Sequence, residues 1–166
     1  MELLSFESDV AALAQGLRSR GWRLASAESC TGGLIAAACT ALAGSSDWFE
    51  RGFVTYSNEA KTDMLGVDPA LIDRVGAVSE EVALAMLQGA LQRSHAQLAV
   101  AVTGIAGPGG AVPGKPVGMV WLAWGSAQAA QTICLMLDGD RDKVRALTVS
   151  HALRCLLRSV NEVGQP

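Results

Sequence analysis

Seven consecutive residues carry the groups best suited to chemistry: Ala27-Glu28-Ser29-Cys30-Thr31-Gly32-Gly33. The segment before them, 22–27, predicts a strand, and the almost wholly apolar segment 34–42 predicts a buried helix. Glycines at such a junction let a substrate approach the backbone, and the free N–H groups of a helix N-terminus attract an anion or a developing oxyanion. The turn therefore predicts a site. The alternative is an ordinary strand-to-helix connection with Thr31 or Ser29 as N-cap.

Ser29 and Cys30 are the two candidate nucleophiles. A helix N-terminus lowers the pKa of a thiol, which favours Cys30. Adjacent residues at a strand end point to opposite faces, so only one of the two can face a pocket, and the sequence leaves that choice open. A serine needs a base, yet neither His95 nor His151 lies next to a glycine-rich turn, and the motif Gly-x-Ser-x-Gly is absent. A Ser–Lys arrangement remains.

Lys61 is the candidate base. It lies four residues after Ser57, the predicted N-cap of a helix over 58–65. A cation there opposes the helix dipole, and this placement with partial burial would lower the pKa of the amine. The alternative is a solvated lysine paired with a nearby acid. Tyr56 ends the preceding predicted strand, and its hydroxyl could orient Lys61, relay a proton or bind substrate, or it could simply cover the core.

Thr103 follows the apolar run 98–102, which predicts a strand buried on both faces. Open α/β sheets bind ligands at the carboxyl ends of such strands. The loop over 104–116 is rich in glycine, holds three prolines and matches neither Gly-x-Gly-x-x-Gly nor a Walker A motif. We expect it to form a shaped wall over a ligand, and a plain long hairpin connection is the alternative.

Arg141 and Arg145 lie one turn apart at the start of the last predicted helix, 141–160. Arginines in the first turns of a helix oppose its dipole unless an anion is bound there, so the pair indicates a phosphate site. The alternative is pairing with the acidic residues of the same turn, which are Asp138, Asp140 and Asp142.

Composition excludes several classes of protein. The chain has 166 residues, half of them hydrophobic, and a net charge of −3, so it lacks the basic field of a nucleic-acid-binding protein. The four cysteines show no CxxC or metal-like spacing, so we expect no metal site and no disulfide framework, as in a reducing cytosol. The N-terminus, 1–9, lacks the basic region of a signal peptide, and no apolar run reaches membrane-spanning length. We therefore expect a cytoplasmic protein.

Helices and strands alternate along the chain without a linker-like segment. We predict a first helix capped by Ser8 and ended by Gly21, and further helices over 34–42, 58–65, 79–94 and 141–160. The predicted strands are 22–27, 52–56, 98–102, 117–124 and 130–137. This order predicts one α/β domain over 1–166, with its core at about 10–160 and helices on both faces of a mixed sheet.

Four motifs occur in one order along the chain. They are Ala-Glu-Ser-Cys-Thr-Gly-Gly, Thr-Tyr-Ser-Asn-x-x-Lys, Val-Thr-Gly-Ile-Ala-Gly-Pro-Gly-Gly with a following Gly-Lys-Pro-Val-Gly, and Gly-Asp-Arg-x-x-x-Arg. Together they resemble the CinA C-terminal domain family over residues 10–160. The resemblance implies a three-layer α/β/α sandwich with a mixed, largely parallel sheet, and a homodimer. It also implies hydrolysis of the carboxamide of nicotinamide mononucleotide, without a cofactor, to nicotinic acid mononucleotide and ammonia.

The same resemblance assigns roles to residues. Ser29 would be the nucleophile and Lys61 its base, with Tyr56 and Thr103 assisting. Arg145 and Arg141 would meet the charged end of the nucleotide, the loop from Gly104 would line the pocket, and N–H groups near Cys30, Thr31 or Gly104 would hold the oxyanion. The substrate-binding residues predicted on this basis are Cys30, Thr31, Gly32, Gly33, Gly104, Gly107, Arg141 and Arg145.

Longer members of the family carry an N-terminal domain that this sequence lacks, so we do not expect its dinucleotide pyrophosphatase activity here. Two alternatives to the serine amidase stay open. One is a nucleotide- or partner-binding domain, tied to competence or recombination, that does little chemistry. The other is a cysteine hydrolase that uses Cys30.

Overall fold

The structure of the protein, a computed structural model, describes residues 6–162. The expectations for Met1–Ser5 at the N-terminus and for the last four residues lie outside the described residues. The elements in chain order are α1 (Glu7–Arg20), β1 (Leu24–Glu28), α2 (Leu34–Thr40), a 3-10 helix (Ser45–Asp47), β2 (Phe49–Val54), α3 (Asn58–Leu65), α4 (Pro69–Val75), α5 (Glu80–Gln92), β3 (Leu98–Gly104), β4 (Met119–Gly125), β5 (Ala130–Met136) and α6 (Arg141–Glu162).

The five strands form one mixed sheet in the order β2-β1-β3-β4-β5. Strands β2, β1 and β3 run parallel, because each is joined to the next by a crossover that contains helices. Strands β4 and β5 extend the sheet as an antiparallel hairpin beside β3. The predicted mixed sheet is confirmed, with its parallel part confined to the first three strands.

Helices cover both faces of the sheet and bury two separate cores. One core packs α1, α2 and α6 against the sheet, and the other packs α5 with α3 and α4 against the opposite face. Strand β1 contributes to both by alternation, since Leu24 belongs to the first core and Ala25 and Ala27 to the second. The predicted three-layer α/β/α sandwich is therefore confirmed, and the run Leu98–Val102 is buried on both faces as expected.

Capping residues set several helix ends where the sequence predicts them. The Oγ of Ser57 accepts the N–H of Ala60 at 3.0 Å, and Gly66 ends α3 in the left-handed conformation. The Oγ of Ser79 likewise caps α5. Helix α1 ends at Gly21 in the same left-handed conformation. These polar and glycine signals act over one turn, so they can be read from sequence alone.

Two predicted features are wrong, and one helix was not predicted. Helix α1 begins at Glu7 with Phe6 before it, because the buried Phe6 ring anchors the chain in the first core, so Ser8 is not the cap. Strand β2 begins at Phe49 and ends at Val54, which leaves Tyr56 in the connection to α3. Helix α4 was not predicted, although Asp68 followed by a proline is a helix-start signal and its carboxylate caps the N–H of Ala70.

Within residues 6–162, no helix combines the length and the apolar character needed to cross a membrane.

Candidate active site

Ser29 follows β1 directly and points to the face that carries α3 and α5. Its N–H donates to the carbonyl of Val102 at 3.1 Å, so the β1–β3 ladder continues through it. Strand alternation places its side chain on the same face as Ala25 and Ala27, and only 9% of the residue is exposed. The hydroxyl is therefore held at the carboxyl end of a central strand.

Cys30 points the other way. It is 6% exposed and packs in the core formed with α1, α2 and α6. Burial raises the pKa of the Cys30 thiol to about 12, and the nearby Glu28 carboxylate adds to the increase. A thiol in this environment stays protonated, so the choice that the sequence left open falls to Ser29 on geometric grounds.

Lys61 meets Ser29 from α3. Its Nζ lies 3.2 Å from the Oγ of Ser29 and donates to the backbone carbonyls of Thr55 at 3.1 Å and Ser57 at 3.4 Å. The side chain is 2% exposed and forms no ion pair with any described residue. The alternative of a solvated, acid-paired surface lysine is therefore wrong.

The amine of Lys61 is suited to accept a proton. Burial lowers its pKa from the ordinary 10.5, while Cys30 and Glu59 oppose that change more weakly. The lowered pKa agrees with the expectation from sequence. Its main cause is loss of hydration, which outweighs the opposing effects of Cys30 and Glu59. A serine hydroxyl beside such an amine is an arrangement that could supply a nucleophile and its base.

Glu28 is the principal residue of this region that the sequence interpretation missed. It is fully buried, and its carboxylate accepts hydrogen bonds from the N–H groups of Gly33, Ile35 and Ala36 at 3.1, 3.0 and 2.8 Å. The N–H groups at the N-terminus of α2 are therefore hydrogen-bonded to a carboxylate of the same chain. Neither the predicted Thr31 or Ser29 cap nor an external anion at these N–H groups is correct, because Glu28 already satisfies them.

Two N–H groups of the turn remain free. The N–H groups of Ser29, Gly32 and Leu34 donate to backbone carbonyls. Those of Gly33, Ile35 and Ala36 donate to the Glu28 carboxylate. Between Ser29 and Ala37, only the N–H groups of Cys30 and Thr31 lack a partner in the backbone or in another side chain of residues 6–162. They follow the candidate nucleophile directly, where an oxyanion hole is required.

The glycines of the turn have a conformational role. Gly32 and Gly33 have φ values of +61° and +98°, in the left-handed region that other residues avoid. They reverse the chain between β1 and α2 within a few residues. Contact of these glycines with a substrate stays a prediction.

Arg145 braces the turn from α6. Its Nη2 donates to the carbonyl of Thr31 at 3.0 Å, and its Nη1 lies 3.9 Å from the exposed carboxylate of Asp142. Its Nε is buried and has no hydrogen-bond partner in the part of the chain that the structure describes. The predicted pairing with acids is thus limited to one long contact, while Asp140 instead caps α6 by accepting the N–H of Lys143.

Arg141 and Tyr56 form the rim of this region. Arg141 donates from Nη1 to the carbonyl of Gly107 and from Nη2 to the hydroxyl of Tyr56, each at 2.8 Å. Tyr56 is 59% exposed and makes no hydrogen bond to Lys61. The expectation that this hydroxyl orients Lys61 is wrong, because the backbone carbonyls on either side of Tyr56 do so.

Thr103 and the glycine-rich loop lie beside Ser29. Beyond the paired Glu28 and Val102, the β1–β3 register brings Ser29 and Thr103 to neighbouring positions on one face. The Oγ1 of Thr103 donates to the carbonyl of Ala77 at 2.8 Å and bonds to neither Ser29 nor Lys61. Gly104 ends β3, and the loop beyond it is held by Arg141 at Gly107 and by a hydrogen bond from Lys115 to the carbonyl of Val75.

Two cavities in the described part of the chain are lined by neither Ser29 nor Lys61. The larger, about 860 Å³, is at the opposite end of the sheet, between α5, the β4–β5 turn and Trp22. The smaller, about 290 Å³, lies between α3 and α4. Among residues 6–162, no group of three or more His, Cys, Asp or Glu side chains is arranged to hold a metal ion.

Comparisons with known proteins agree on one family. The CinA C-terminal domain model matches residues 7–160. A Pseudomonas putida protein named nicotinamide-nucleotide amidohydrolase PncC is 53% identical over 146 residues, which cover 88% of this chain and 91% of that protein. The Escherichia coli K12 protein of the same name is 50% identical over 86% of this chain and 87% of its own length. A Klebsiella pneumoniae crystal structure titled competence damage-inducible protein A superposes with a TM-score of 0.90 at 40% identity, covering 93% of this chain and 96% of that one.

Proposed function

The chain belongs to the CinA C-terminal domain family, and on this premise we propose that it hydrolyses the carboxamide of nicotinamide mononucleotide to nicotinic acid mononucleotide and ammonia. The amidohydrolase named in relatives about half identical to this chain supports the reaction class. The observation that carries the mechanism is the buried Lys61 amine, which lies 3.2 Å from the Ser29 hydroxyl and forms no ion pair with any described residue.

Ser29 and Lys61 divide the chemistry between them in this proposal. The neutral amine of Lys61 takes the hydroxyl proton as the Oγ of Ser29 attacks the carboxamide carbon. The resulting ammonium returns the proton to the leaving nitrogen, the C–N bond breaks, and ammonia departs from an ester on Ser29. Water then attacks that ester as Lys61 accepts its proton, the bond to Ser29 breaks as Lys61 passes the proton to the departing Oγ, and the acid is released with Ser29 and the neutral amine restored.

The negative oxygen of the tetrahedral intermediate is assigned to the N–H groups of Cys30 and Thr31. They are the free donors of the turn, and they follow the nucleophile directly. Removal of one such donor costs about 10²–10³ in kcat in known hydrolases. Gly104, the third donor suggested by the sequence, ends a strand beside Thr103 and supplies the near wall of the pocket.

Arg145 and Arg141 are assigned to the phosphate end of the nucleotide. The unpartnered Nε of Arg145 supports this assignment, because a buried guanidinium donor without an acceptor is costly until an anion reaches it. Arg141 supports it less directly, since its two described hydrogen bonds go to Tyr56 and Gly107 and fix the rim that a nucleotide would pass.

The test is release of ammonia from nicotinamide mononucleotide by the purified protein and four variants. We expect turnover by wild type and by Cys30→Ala, and loss of about 10²–10⁴-fold or more in kcat for Ser29→Ala, Lys61→Ala and Lys61→Arg. A chelator should leave the rate unchanged. Absence of turnover in wild type refutes the proposed reaction, and activity that survives Ser29→Ala but disappears in Cys30→Ala transfers the mechanism to the thiol.

Three further expectations accompany the proposal. We expect one domain over 1–166, a homodimer and a cytoplasmic location. Light scattering on the purified protein measures the mass of the assembly, and limited proteolysis tests for separable parts. A nucleotide-binding role without catalysis is disfavoured, because binding alone does not require an amine of lowered pKa beside a serine hydroxyl.

A further inference from the structure

We infer that Glu28 is a positioning residue of the reaction, whose buried carboxylate holds the Ser29–Gly33 turn so that the serine hydroxyl meets Lys61 and the two following N–H groups stay free. The inference rests on the proposed function. It adds a role for a residue that touches neither the reacting groups nor the substrate. Strand alternation places the Glu28 side chain on the face opposite Ser29, so it acts only through the backbone of the turn.

The carboxylate has an unusually complete set of partners. One oxygen accepts from the Oγ of Ser26 at 3.2 Å and the N–H of Ala36 at 2.8 Å. The other accepts from the Oγ1 of Thr31 at 2.7 Å and from the N–H groups of Gly33 and Ile35 at 3.1 and 3.0 Å. Three of these five donors are backbone N–H groups, which cannot become acceptors. The site therefore requires a carboxylate, and no described cation pairs with it.

These bonds bracket the catalytic part of the turn. Glu28 accepts hydrogen bonds from Thr31 and Gly33, and Arg145 donates to the carbonyl of Thr31. Ser29 and Cys30 lie between Glu28 and these fixed points, with little freedom left to them. A displacement of about 1 Å in a reacting group can cost about 10²-fold in rate, so a loosened turn would reach the chemistry although the nucleophile itself is unchanged.

The same arrangement reserves the helix N-terminus. The negative charge of Glu28 complements the dipole of α2 and occupies its N–H groups, so a phosphate cannot bind there. The anionic end of a substrate is thereby left to the arginines of α6. Glu28 thus holds the turn that carries Ser29, and it also prevents a phosphate from binding at the N-terminus of α2.

The experiment compares Glu28→Gln with Ser26→Ala. In Glu28→Gln one oxygen becomes an NH₂ group, which faces at least one N–H donor in either orientation and breaks the set of bonds. Ser26→Ala removes a single donor on the strand side and leaves every bond to the turn. We expect kcat for Glu28→Gln to fall about 10- to 100-fold with KM changed by less than about two-fold, and kcat for Ser26→Ala to stay within about two-fold of wild type.

A second measurement separates positioning from general destabilisation. The rate at which a fluorophosphonate probe labels Ser29 is measured for the same proteins, at a temperature where circular dichroism shows each to be folded. Thr148→Val, which removes a buried hydroxyl bond within α6 that does not involve the turn, serves as the control for lost stability. We expect slower labelling in Glu28→Gln and wild-type labelling in Thr148→Val.

Each outcome decides the question. Turnover and labelling by Glu28→Gln at wild-type rates overturn the inference, as does a rate loss that Thr148→Val reproduces. If Glu28→Gln does not fold, Thr31→Val is used instead, because it removes one bond between the turn and Glu28. We expect its kcat to fall several-fold, and an unchanged kcat for Thr31→Val overturns the inference. If wild type releases no ammonia, the proposed reaction fails, and the labelling rates alone then decide whether Glu28 positions Ser29.

Discussion

Replacement of Lys61 by methionine should change the pH dependence of stability in a direction that the structure fixes. Methionine has a similar length and no charge, so Lys61→Met fills the same volume without an ionisable group. In wild type, burial lowers the pKa of Lys61 in the folded state from the ordinary 10.5. Between these two pKa values the unfolded chain binds a proton that the folded protein does not. Wild-type stability therefore rises with pH across that window, and the variant lacks this contribution.

The magnitude follows from two opposing effects. A single group contributes at most about 1.4 kcal/mol per pH unit inside the window. Methionine leaves the carbonyls of Thr55 and Ser57 without the Nζ donor, which costs about 1 kcal/mol for each hydrogen bond. Near the ordinary lysine pKa, wild type should be the more stable by about 2 kcal/mol. Toward lower pH within the window, the advantage of wild type shrinks by up to about 1.4 kcal/mol per pH unit, because the unfolded wild-type chain binds a proton that the folded protein does not.

Denaturant unfolding followed by tryptophan fluorescence provides the measurement. Wild type and Lys61→Met are compared at several pH values between about 6 and 10, so that the titration of all other groups cancels in the difference. Lys143→Met, which removes an exposed lysine, is the matched control and should show no pH-dependent difference. Parallel stability curves for wild type and Lys61→Met would show that the folded lysine keeps its ordinary pKa. The argument that it serves as a neutral base would then fail.

Four other outcomes are expected. First, kcat/KM should rise with pH as Lys61 loses its proton, with a midpoint below 10.5; a midpoint at or above that value contradicts the lowered pKa. Second, Ser57→Asp keeps the cap of α3 but adds a carboxylate near Lys61, so the midpoint of the rise in kcat/KM should move to higher pH. The uncharged Ser57→Asn should leave that midpoint unchanged. Third, Cys30→Ala should lower the free energy of unfolding by about 1–2 kcal/mol while turnover persists, as unfolding and ammonia-release assays would show. Fourth, Arg141→Ala should raise KM for the nucleotide more than it lowers kcat, and Tyr56→Phe should do so less, because Arg141 also holds the glycine-rich loop.

The parts of the fold that depend on local signals were predictable from the sequence. Helix α3 has the predicted bounds, because Ser57 caps its start and Gly66 takes the left-handed conformation at its end. The two-sided burial of β3 follows from its unbroken apolar run. Tyr56 was misplaced because a strand end has no comparable signal, and its backbone pairing depends on the neighbouring strand.

The candidate site was predictable in its residue types but not in its hydrogen bonds. Ser29 and Lys61 were identified by a strand-end position and by a cation early in a helix, and the structure brings them together. Thr103 donates to the carbonyl of Ala77 and Arg141 to that of Gly107, and every residue carries a backbone carbonyl, so no residue type reveals these two partners. Glu28 was missed for the same reason, since its main partners are backbone N–H groups.

The positions of Glu28 and Lys61 on opposite faces of one strand end account for how a carboxylate and a neutral amine coexist so near Ser29. A carboxylate close to the Nζ of Lys61 would stabilise the ammonium and raise its pKa, which would remove the base. Because consecutive residues of a strand alternate, Glu28 can fix the turn from the α2 face while Ser29 meets the amine on the α3 face. The two buried groups are each satisfied without the other, one by N–H donors and one by carbonyls. Because Glu28 and Ser29 are adjacent and point to opposite faces, the proposed positioning carboxylate and the proposed base can both act on one serine without contact between them.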